Sequence, residues 1–372
     1  MLALWSKVVR LGICGQMHGM LLWSDRAWDQ TSSRREVIKD SVSALYTWQD
    51  TRCSPSFLSS LPPPQSHLTA YSGYGVPTLF WIARHKPDKL KLFSHAGTVQ
   101  DLAVAMLCDL KEPVMSVQNA ASWGYFDTTT QSWNTQILES AGFPVHLLPR
   151  VVKPGTLAGG LAESWYGIPA GTPVGAALGD LQCSVYTTLQ PNVAVLNVST
   201  SAQLAFIATP DFQPEQVADV STVEYFPYFN DRYLAVAASL NGGNALATFV
   251  WERVLALAEG KSANSSLQVI PTLLGERHAP EQNATVTNID PGNLGLGQVF
   301  RALCSGVIHN LHSMMPREIL LDNNIERIVG IGSALTRNKV LQQEVEHWYQ
   351  LPVQFVAGED AAVGAAMSVL DV

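Results

Sequence analysis

An aspartate stands where an apolar run of the chain ends. Asp180 follows Gly179 and the apolar residues 174–178. Ligands of α/β domains bind where strands end and the chain turns, so a carboxylate at this position could project into a cleft. Aspartate is also a common N-cap of helices, and the local sequence alone favours that alternative.

Two later segments could bind a phosphorylated ligand. Residues 197–202, Asn-Val-Ser-Thr-Ser-Ala, form a hydroxyl-rich turn after a predicted strand. Such a turn offers backbone N–H groups and hydroxyls to a phosphate, although an ordinary polar turn has the same composition. Residues 329–333, Val-Gly-Ile-Gly-Ser, also end a predicted strand. They could form the floor of a nucleotide pocket, but two spaced glycines do not make a full dinucleotide-binding fingerprint.

A cluster of polar and aromatic residues occurs at 46–52, Tyr-Thr-Trp-Gln-Asp-Thr-Arg. Trp48 could pack on the C–H face of a sugar whose hydroxyls bond to Asp50 and Arg52. Alternatively, Asp50 and Arg52 form a structural ion pair and Trp48 belongs to the core, which the local sequence favours.

Two histidines are spaced for one face of a predicted helix. His309 and His312 could share a metal ion, but no acidic or thiol partner lies nearby in the sequence. A solvated helix edge is the preferred interpretation.

The composition limits the class of protein. The 372 residues include 47% hydrophobic and 15% charged residues, which predicts a globular protein of about two domains. A net charge of −8 without a long basic run argues against nucleic-acid binding. Five scattered cysteines indicate neither a disulfide framework nor a cysteine zinc site. Without a recognisable signal peptide or an 18-residue apolar run, we expect a cytoplasmic protein that does not enter a membrane.

Alternating strands and helices predict an α/β fold that positions these residues. A buried strand is expected over Val8 to Cys14, ahead of the glycine-edged polar turn Gly-Gln-Met-His-Gly at 15–19, and three prolines predict a loop at 60–66. Further strands are expected at 193–198, 232–238, 327–332 and 352–356. Helices are expected at about 75–86, 98–109, 243–258, 295–315, 338–349 and 360–370, with mixed helix and loop at 33–45. A change to Gly- and Pro-rich turns places a domain boundary near residue 173.

Taken in order, these segments resemble the FGGY family of carbohydrate kinases over nearly the whole chain. Gly-Gln-Met-His-Gly at 15–19 resembles the sugar-contacting turn of its ketose kinases, and Trp-Gln-Asp-Thr-Arg at 48–52 resembles the next family motif. Gly-Asp at 179–180 matches the position of the catalytic aspartate. Leu-Leu-Gly-Glu-Arg-His-Ala-Pro at 273–280 is similar to the GER-x-x-P signature, and Gly-Ile-Gly-Ser at 330–333 with Asn338 is similar to the adenosine motif.

The resemblance implies two actin-like, ribonuclease H-like domains around a cleft: an incomplete sugar-binding domain at 1–173 and a nucleotide-binding domain at 174–372. It implies ATP and Mg²⁺ as cofactors and a small-molecule ketose as substrate, with the protein a monomer or homodimer. Asp180 would be the catalytic base and would approach the metal through Mg-ATP. The resemblance further implies a structural role for Glu276 with Arg277, a sugar site of Gln16, Met17, His18, Trp48, Asp50 and Asp101, and nucleotide contacts from Thr200, Ser201, Gly332, Ser333 and Asn338.

The chain also departs from the family pattern. Family members begin with a hairpin that carries an Asp-x-Gly-Thr-Thr phosphate loop, and no Asp-x-Gly-Thr motif occurs here. Ser199 and Leu181 stand where relatives commonly have glycine and an amide. Two hypotheses follow from the resemblance and this departure: an ATP-dependent ketose kinase, or a catalytically inactive form that binds sugar or a partner.

Overall fold

The protein is described from a computed structural model. The structure describes residues 7–29, 35–188, 190–215, 221–247, 257–259, 266–356 and 361–370. The statements below refer to these residues.

Up to residue 188 the chain alternates short strands and helices. The strands are β1 (Cys14–Gly15), β2 (Leu21–Trp23), β3 (His95–Gly97), β4 (Val114–Ser116), β5 (Phe126–Asp127), β6 (Ser132–Trp133), β7 (Arg150–Val152), β8 (Leu157–Gly160), β9 (Pro173–Gly175) and β10 (Leu178–Gly179). The helices are α1 (Pro55–Ser59), α2 (Gly75–His85), α3 (Pro87–Leu90), α4 (Val99–Cys108), α5 (Val117–Ala121), α6 (Thr135–Ser140) and α7 (Asp180–Tyr186), with a 3₁₀ helix at Val145–Leu147. The strand pairs β1–β10 and β4–β7 are parallel, whereas β2–β3, β5–β6 and β8–β9 are antiparallel.

The second half is built around one mixed sheet of six strands. Its strands are β11 (Val193–Val198), β12 (Ala202–Ile207), β13 (Glu224–Pro227), β14 (Tyr233–Ser239), β17 (Arg327–Ile331) and β18 (Val353–Phe355), and a separate hairpin contains β15 (Gln268–Ile270) and β16 (Thr285–Thr287). The order is β13-β14-β12-β11-β17-β18. The first three pairings along this order are antiparallel and the last two are parallel.

The second half also contains helices. They are α8 (Gly243–Ala247), α9 (Leu296–Met314), α10 (Arg317–Asp322), α11 (Ser333–Thr336), α12 (Lys339–Tyr349) and α13 (Ala361–Ser368). Helix α9 buries one face that includes Phe300, Val307 and Leu311, each 0% exposed. Removal of this apolar surface from water is the main term that stabilises the packing of helix on sheet.

Two large apolar clusters form the core. One cluster joins residues from both halves of the chain, including Met17, Leu178, Phe226 and Val329. The other lies within the second half, between the sheet and helices such as α9 and α12. The packing around the first cluster therefore holds the two halves against each other.

The structure confirms the α/β class and most of the predicted elements, with two corrections. Residues 35–45, for which mixed helix and loop was predicted, contain turns and isolated bridges but no helix. The segment from Val8 to Cys14 does not form the predicted buried strand, because Val9 is 68% exposed and the strand consists of Cys14–Gly15. A single bridge joins Leu11 to Val174 ahead of it. Of the predicted helix at 243–258, residues 248–256 lie outside the described residues, as do residues 33–34 and 360 of two other predictions.

Among the described helices, none combines the length and the apolar character needed to cross a membrane.

Candidate active site

A cavity of about 360 Å³ lies between residues of the two halves. Its lining includes seven residues that the sequence analysis singled out: Gln16, Met17, His18, Trp48, Asp180, Thr200 and Ser201. The structure therefore brings the candidate base, much of the candidate sugar site and the hydroxyl-rich turn to one place.

Strand pairing explains why Asp180 lies beside the polar turn at 16–18. Strands β1 and β10 are parallel, and Gly15 is the register partner of Gly179. Because parallel strands end at the same edge of a sheet, the residues that follow, Gln16 and Asp180, emerge together.

Asp180 is the first residue of helix α7, and Gly179 occupies the N-cap position. The local interpretation of Asp180 as the N-cap is therefore wrong. Its Oδ1 accepts a hydrogen bond from the backbone N–H of Leu181 at 2.9 Å. The residue keeps exposed surface that faces the cleft, yet the surrounding protein reduces hydration of the carboxyl and raises its pKa to about 6. Backbone N–H groups, including that of Met17, oppose this rise in pKa.

His18 lies in a tight turn, and one of its ring nitrogens is hydrogen-bonded within the protein. Its φ is +69°, a region that residues with a side chain rarely occupy, and the carbonyl of Met17 accepts a bond from the N–H of Gly19 at 2.8 Å across it. Nδ1 lies 2.8 Å from the carbonyl oxygen of Ser122, and the ring stacks on Tyr74 with centroids 4.3 Å apart. Burial lowers the pKa of His18 well below its ordinary value, and the charge of Arg277 lowers it further.

A neutral His18 must donate from Nδ1 to the Ser122 carbonyl, because that oxygen can only accept. Its Nε2 is then an acceptor, and no described residue is bonded to it. Such a nitrogen on the wall of a cavity is suited to accept a hydrogen bond from a ligand hydroxyl.

The hydroxyl-rich turn connects β11 to β12 and is fixed by the start of helix α8. The carbonyl of Ser199 accepts a bond from the N–H of Gly243 at 2.7 Å, and the carbonyl of Thr200 accepts one from Asn244 at 3.0 Å. A Cβ on Gly243 would lie 2.2 Å from the Ser199 carbonyl oxygen, so only glycine permits this approach. Thr200 and Ser201 thereby face the cavity on a well-anchored turn.

A second cavity, of about 490 Å³, adjoins the first and shares Ser199 and Thr200 with it. Ser333 also lines it, together with Asn244 and Arg337. Gly332 lies just behind, with a φ of +94°, and a Cβ there would be 2.4 Å from the carbonyl oxygen of Val198. Close packing of the 332–333 turn on strand β11 thus shapes this second cavity.

Asn338 lies near this region but its side chain is used within the protein. It is 0% exposed, and its Oδ1 accepts hydrogen bonds from the N–H groups of Val340 and Leu341 at 3.0 and 3.1 Å. It is therefore the N-cap of helix α12. Neither Asn338 nor Gly332 lines the two cavities.

Asp50 and Asp101, which the resemblance assigned to the sugar site, do not line the cavity. Asp50 forms a two-point ion pair with Arg52, with both N–O distances 2.7 Å. Asp101 is 1% exposed and its carboxylate accepts bonds from the N–H and hydroxyl of Thr98 at the start of helix α4. The ion pair of Asp50 with Arg52 that the local sequence favours is present, whereas Trp48 lines the cavity and not the core.

His309 and His312 lie on helix α9 against Trp348, with ring centroids 4.3 and 5.5 Å away. Among the described residues, no group of three or more His, Cys, Asp or Glu side chains could hold a metal ion. His309 is exposed and His312 is partly buried, which agrees with the predicted position at a helix edge.

Sequence reasoning missed several residues of the site. Arg277, Gln203 and Ser239 line the first cavity, and Arg337 lines the second. The Gly-Glu-Arg motif at 275–277 was a signal for Arg277, but its spacing does not reveal that the side chain reaches the cleft. Gln203 and Ser239 come from strands β12 and β14, where only the sheet pairing places them together.

Comparison with known proteins agrees with this arrangement. The model of the N-terminal domain of the FGGY family of carbohydrate kinases matches residues 4–186. Human sedoheptulokinase is 50% identical over 98% of this chain and 81% of its own, and the mouse sedoheptulokinase is 49% identical over 98% and 82%.

Solved structures give the same fold. A xylulose kinase from Rhodospirillum rubrum superposes with a TM-score of 0.75 at 20% identity, covering 97% of this chain and 75% of the other. The fold is thus that of the sugar kinases with two actin-like domains. Identity of this extent to the two sedoheptulokinases establishes that the chain belongs to the FGGY family of carbohydrate kinases, which are ATP-dependent sugar kinases.

Proposed function

We propose that this chain transfers the γ-phosphate of ATP to the terminal hydroxyl of a ketose, with sedoheptulose as substrate. The product would be sedoheptulose 7-phosphate, an intermediate of the pentose phosphate pathway. The observation that carries the proposal is the meeting of Asp180, the 16–18 turn and the 199–201 turn at one cavity. The human and mouse sedoheptulokinases, which are 50% and 49% identical to this chain, support the choice of ketose.

Asp180 is proposed as the general base. Its carboxylate accepts the proton of the attacking hydroxyl while the sugar oxygen bonds to the γ-phosphorus and the bond to the β–γ bridging oxygen breaks, releasing ADP. A pKa of about 6 leaves the carboxyl ionised at neutral pH and still basic enough to take a proton.

The sugar is proposed to lie against Gln16, Met17, His18 and Trp48. His18 would accept a hydrogen bond from a hydroxyl through Nε2, and Trp48 would offer an aromatic face to the C–H groups of the sugar. Asp50 and Asp101 are absent from this proposal, since neither lines the cavity and their carboxylates bond to Arg52 and Thr98.

The nucleotide is proposed to lie along the second half. Thr200 and Ser201 offer hydroxyls to the phosphates, and the second cavity at Ser333 is close enough to share the 199–200 turn. Gly332 shapes the wall behind it, and the guanidinium of Arg337 supplies a positive charge.

Asp180 is the carboxylate that lines the cavity, so the cleft fits Mg²⁺ that is already bound to the phosphates of the nucleotide. Asp180 is a carboxylate ligand of the kind that Mg²⁺ prefers, and Mg²⁺ is commonly bound by one or two carboxylates together with substrate phosphates. When bound, Mg²⁺ would neutralise negative charge on the phosphates.

We also propose that the chain divides into two domains near residue 173. Strands β9 and β10 follow this point but pair with β8 and β1, so they connect the first half to the second.

An ADP-release assay with sedoheptulose, D-xylulose, D-ribulose and glycerol tests the proposal. We expect ADP release that depends on a ketose and is fastest with sedoheptulose. A folded sample that releases no ADP with any of these sugars would contradict the kinase proposal and would favour the sugar-binding alternative. Release that is faster with another ketose would contradict the substrate assignment alone.

A further inference from the structure

Arg277 reaches the cleft from the second half of the chain and contacts the first half there. It lines the cavity that contains Asp180 and His18. Its Cζ lies 5.3 Å from the centroid of the Tyr74 ring, which in turn stacks on the ring of His18. Tyr74 is 0% exposed and immediately precedes helix α2, so the guanidinium rests on a fully buried ring of the first half.

Among the described residues, the guanidinium of Arg277 has unused hydrogen-bonding capacity. Within the described ranges of the chain, no hydrogen bond or ion pair of its guanidinium is found, and Nε is buried without a partner. The nearby Glu224 also has a buried carboxylate oxygen, Oε1, without a partner. Burial raises the pKa of Glu224 to about 7, and the charge of Arg277 opposes that rise. The ordinary expectation is that a partly buried guanidinium meets acceptors.

The two polar groups beside Tyr74 are complementary. Arg277 can only donate hydrogen bonds, whereas the Nε2 of a neutral His18 can only accept one. A ketose carries hydroxyls that both donate and accept and a carbonyl oxygen that accepts. A sugar in this cavity can therefore receive a hydrogen bond from Arg277 and give one to His18.

We infer that Arg277 is a ketose-binding residue, contributed by the second half to a sugar site otherwise formed by the first. The inference rests on the proposed function and extends it. A purely structural role would leave the guanidinium of Arg277 without hydrogen-bond acceptors, whereas a sugar in the cavity would supply them. The affinity for the sugar then depends on the placement of the second half over the first.

The test compares Arg277→Gln and Arg277→Lys with Arg327→Gln. Arg327 is an exposed arginine of the second half that lines neither cavity and bonds to Gln190, so its replacement is a matched control. The Kd for sedoheptulose is measured by calorimetry without ATP, and KM is measured for sedoheptulose and for ATP. Melting temperatures verify that each variant is folded.

Loss of a charged hydrogen-bond donor should raise the Kd and KM for sedoheptulose by about tenfold or more in Arg277→Gln. The KM for ATP should stay within about twofold of wild type, as should all constants of Arg327→Gln. Arg277→Lys should give an intermediate increase, because lysine keeps the charge but not the planar array of donors. If the glutamine variant does not fold, the lysine variant decides by the same comparison of the two KM values.

An unchanged Kd for sedoheptulose in a folded variant overturns the inference, and so does an equal rise in both KM values, which a purely structural role would cause. Binding that depends on Arg277 without any ADP release would leave the inference standing and reject the kinase proposal. ADP release with a Kd that is insensitive to Arg277 would do the reverse. A wild-type protein that neither binds nor phosphorylates sedoheptulose, D-xylulose or D-ribulose would reject both.

Discussion

Glu276 and Arg277 follow one another in the chain, but their side chains lie in different surroundings. Arg277 lines the cleft, whereas Glu276 is 1% exposed and lies beneath it. The carboxylate of Glu276 accepts hydrogen bonds at 2.7 to 2.9 Å from four donors, which are Ser239 Oγ, the Leu240 N–H, Asn241 Nδ2 and Asn310 Nδ2. The resemblance implied a structural role for Glu276 and Arg277. The four hydrogen bonds support that role for Glu276.

Replacement of Glu276 by glutamine should destabilise the protein markedly. The new amide would direct N–H donors at groups that are themselves donors, leaving buried polar atoms unpaired. We expect a loss of about 2–4 kcal/mol in the free energy of unfolding, measured by urea denaturation. Glu281→Gln, at an exposed position five residues later, should change it by less than about 0.5 kcal/mol. Similar stability of the two variants would contradict the structural role of Glu276.

Asp180→Asn should abolish most turnover and keep sugar binding. The amide has nearly the shape of the carboxylate but cannot accept the hydroxyl proton, so kcat should fall by about two to four orders of magnitude. Calorimetric Kd values for sedoheptulose should stay within about threefold of wild type. A variant that retains wild-type turnover would remove Asp180 from the role of base.

The rate of the wild-type enzyme should depend on the ionisation of Asp180. Only the ionised carboxylate accepts a proton, and its pKa is raised to about 6. Values of kcat/KM should therefore be constant above that pH and fall by about tenfold per unit below it. The residual rate of Asp180→Asn should lack this decline. The same acid limb in the asparagine variant would assign the titration to another group.

The cases of Asp101 and Asp50 show what the sequence can and cannot predict. Helix α4 was predicted from its apolar pattern, and Thr98 with Asp101 three residues later is also a local signal for a capping box. That signal gives the structural role of Asp101 without reference to any family. The Asp50–Arg52 pair was likewise the preferred local interpretation.

The cavity that contains Asp180 could be predicted only in part. The glycine-edged turn and Gly-Asp each end a short strand, and the local sequence is enough to predict these two strand ends. That Gly15 and Gly179 are partners in parallel strands is a long-range pairing, which the spacing of the motifs does not encode. The approach of Arg277 to Tyr74 likewise depends on how the two halves pack, so the pattern of the Gly-Glu-Arg motif gave no indication of it.

Gly332→Ala should impair the second cavity. At a φ of +94°, a Cβ would lie 2.4 Å from the Val198 carbonyl oxygen, so the 332–333 turn must shift away from strand β11. We expect a lower melting temperature and a KM for ATP raised by about tenfold, from steady-state kinetics. Gly142→Ala is the matched control, since Gly142 also has a positive φ, +76°, but no atom lies within 4 Å of a Cβ there. It should lower stability slightly and leave the KM for ATP unchanged.

Asn338→Ala distinguishes two roles of Asn338. One is the contact with adenosine that the family resemblance implies, and the other is the N-cap of helix α12 that the structure shows. If the side chain acts only as N-cap of helix α12, its loss should cost about 1–2 kcal/mol in the free energy of unfolding. The KM for ATP should then stay within about twofold of wild type, because the amide is buried and Oδ1 already accepts two backbone N–H groups. Asn338→Asp and Asn338→Ser, which retain a capping oxygen, should recover much of the stability. A rise in the KM for ATP of about tenfold in a stable Asn338→Ser variant would instead assign the side chain to the nucleotide site, with the cap as a secondary role.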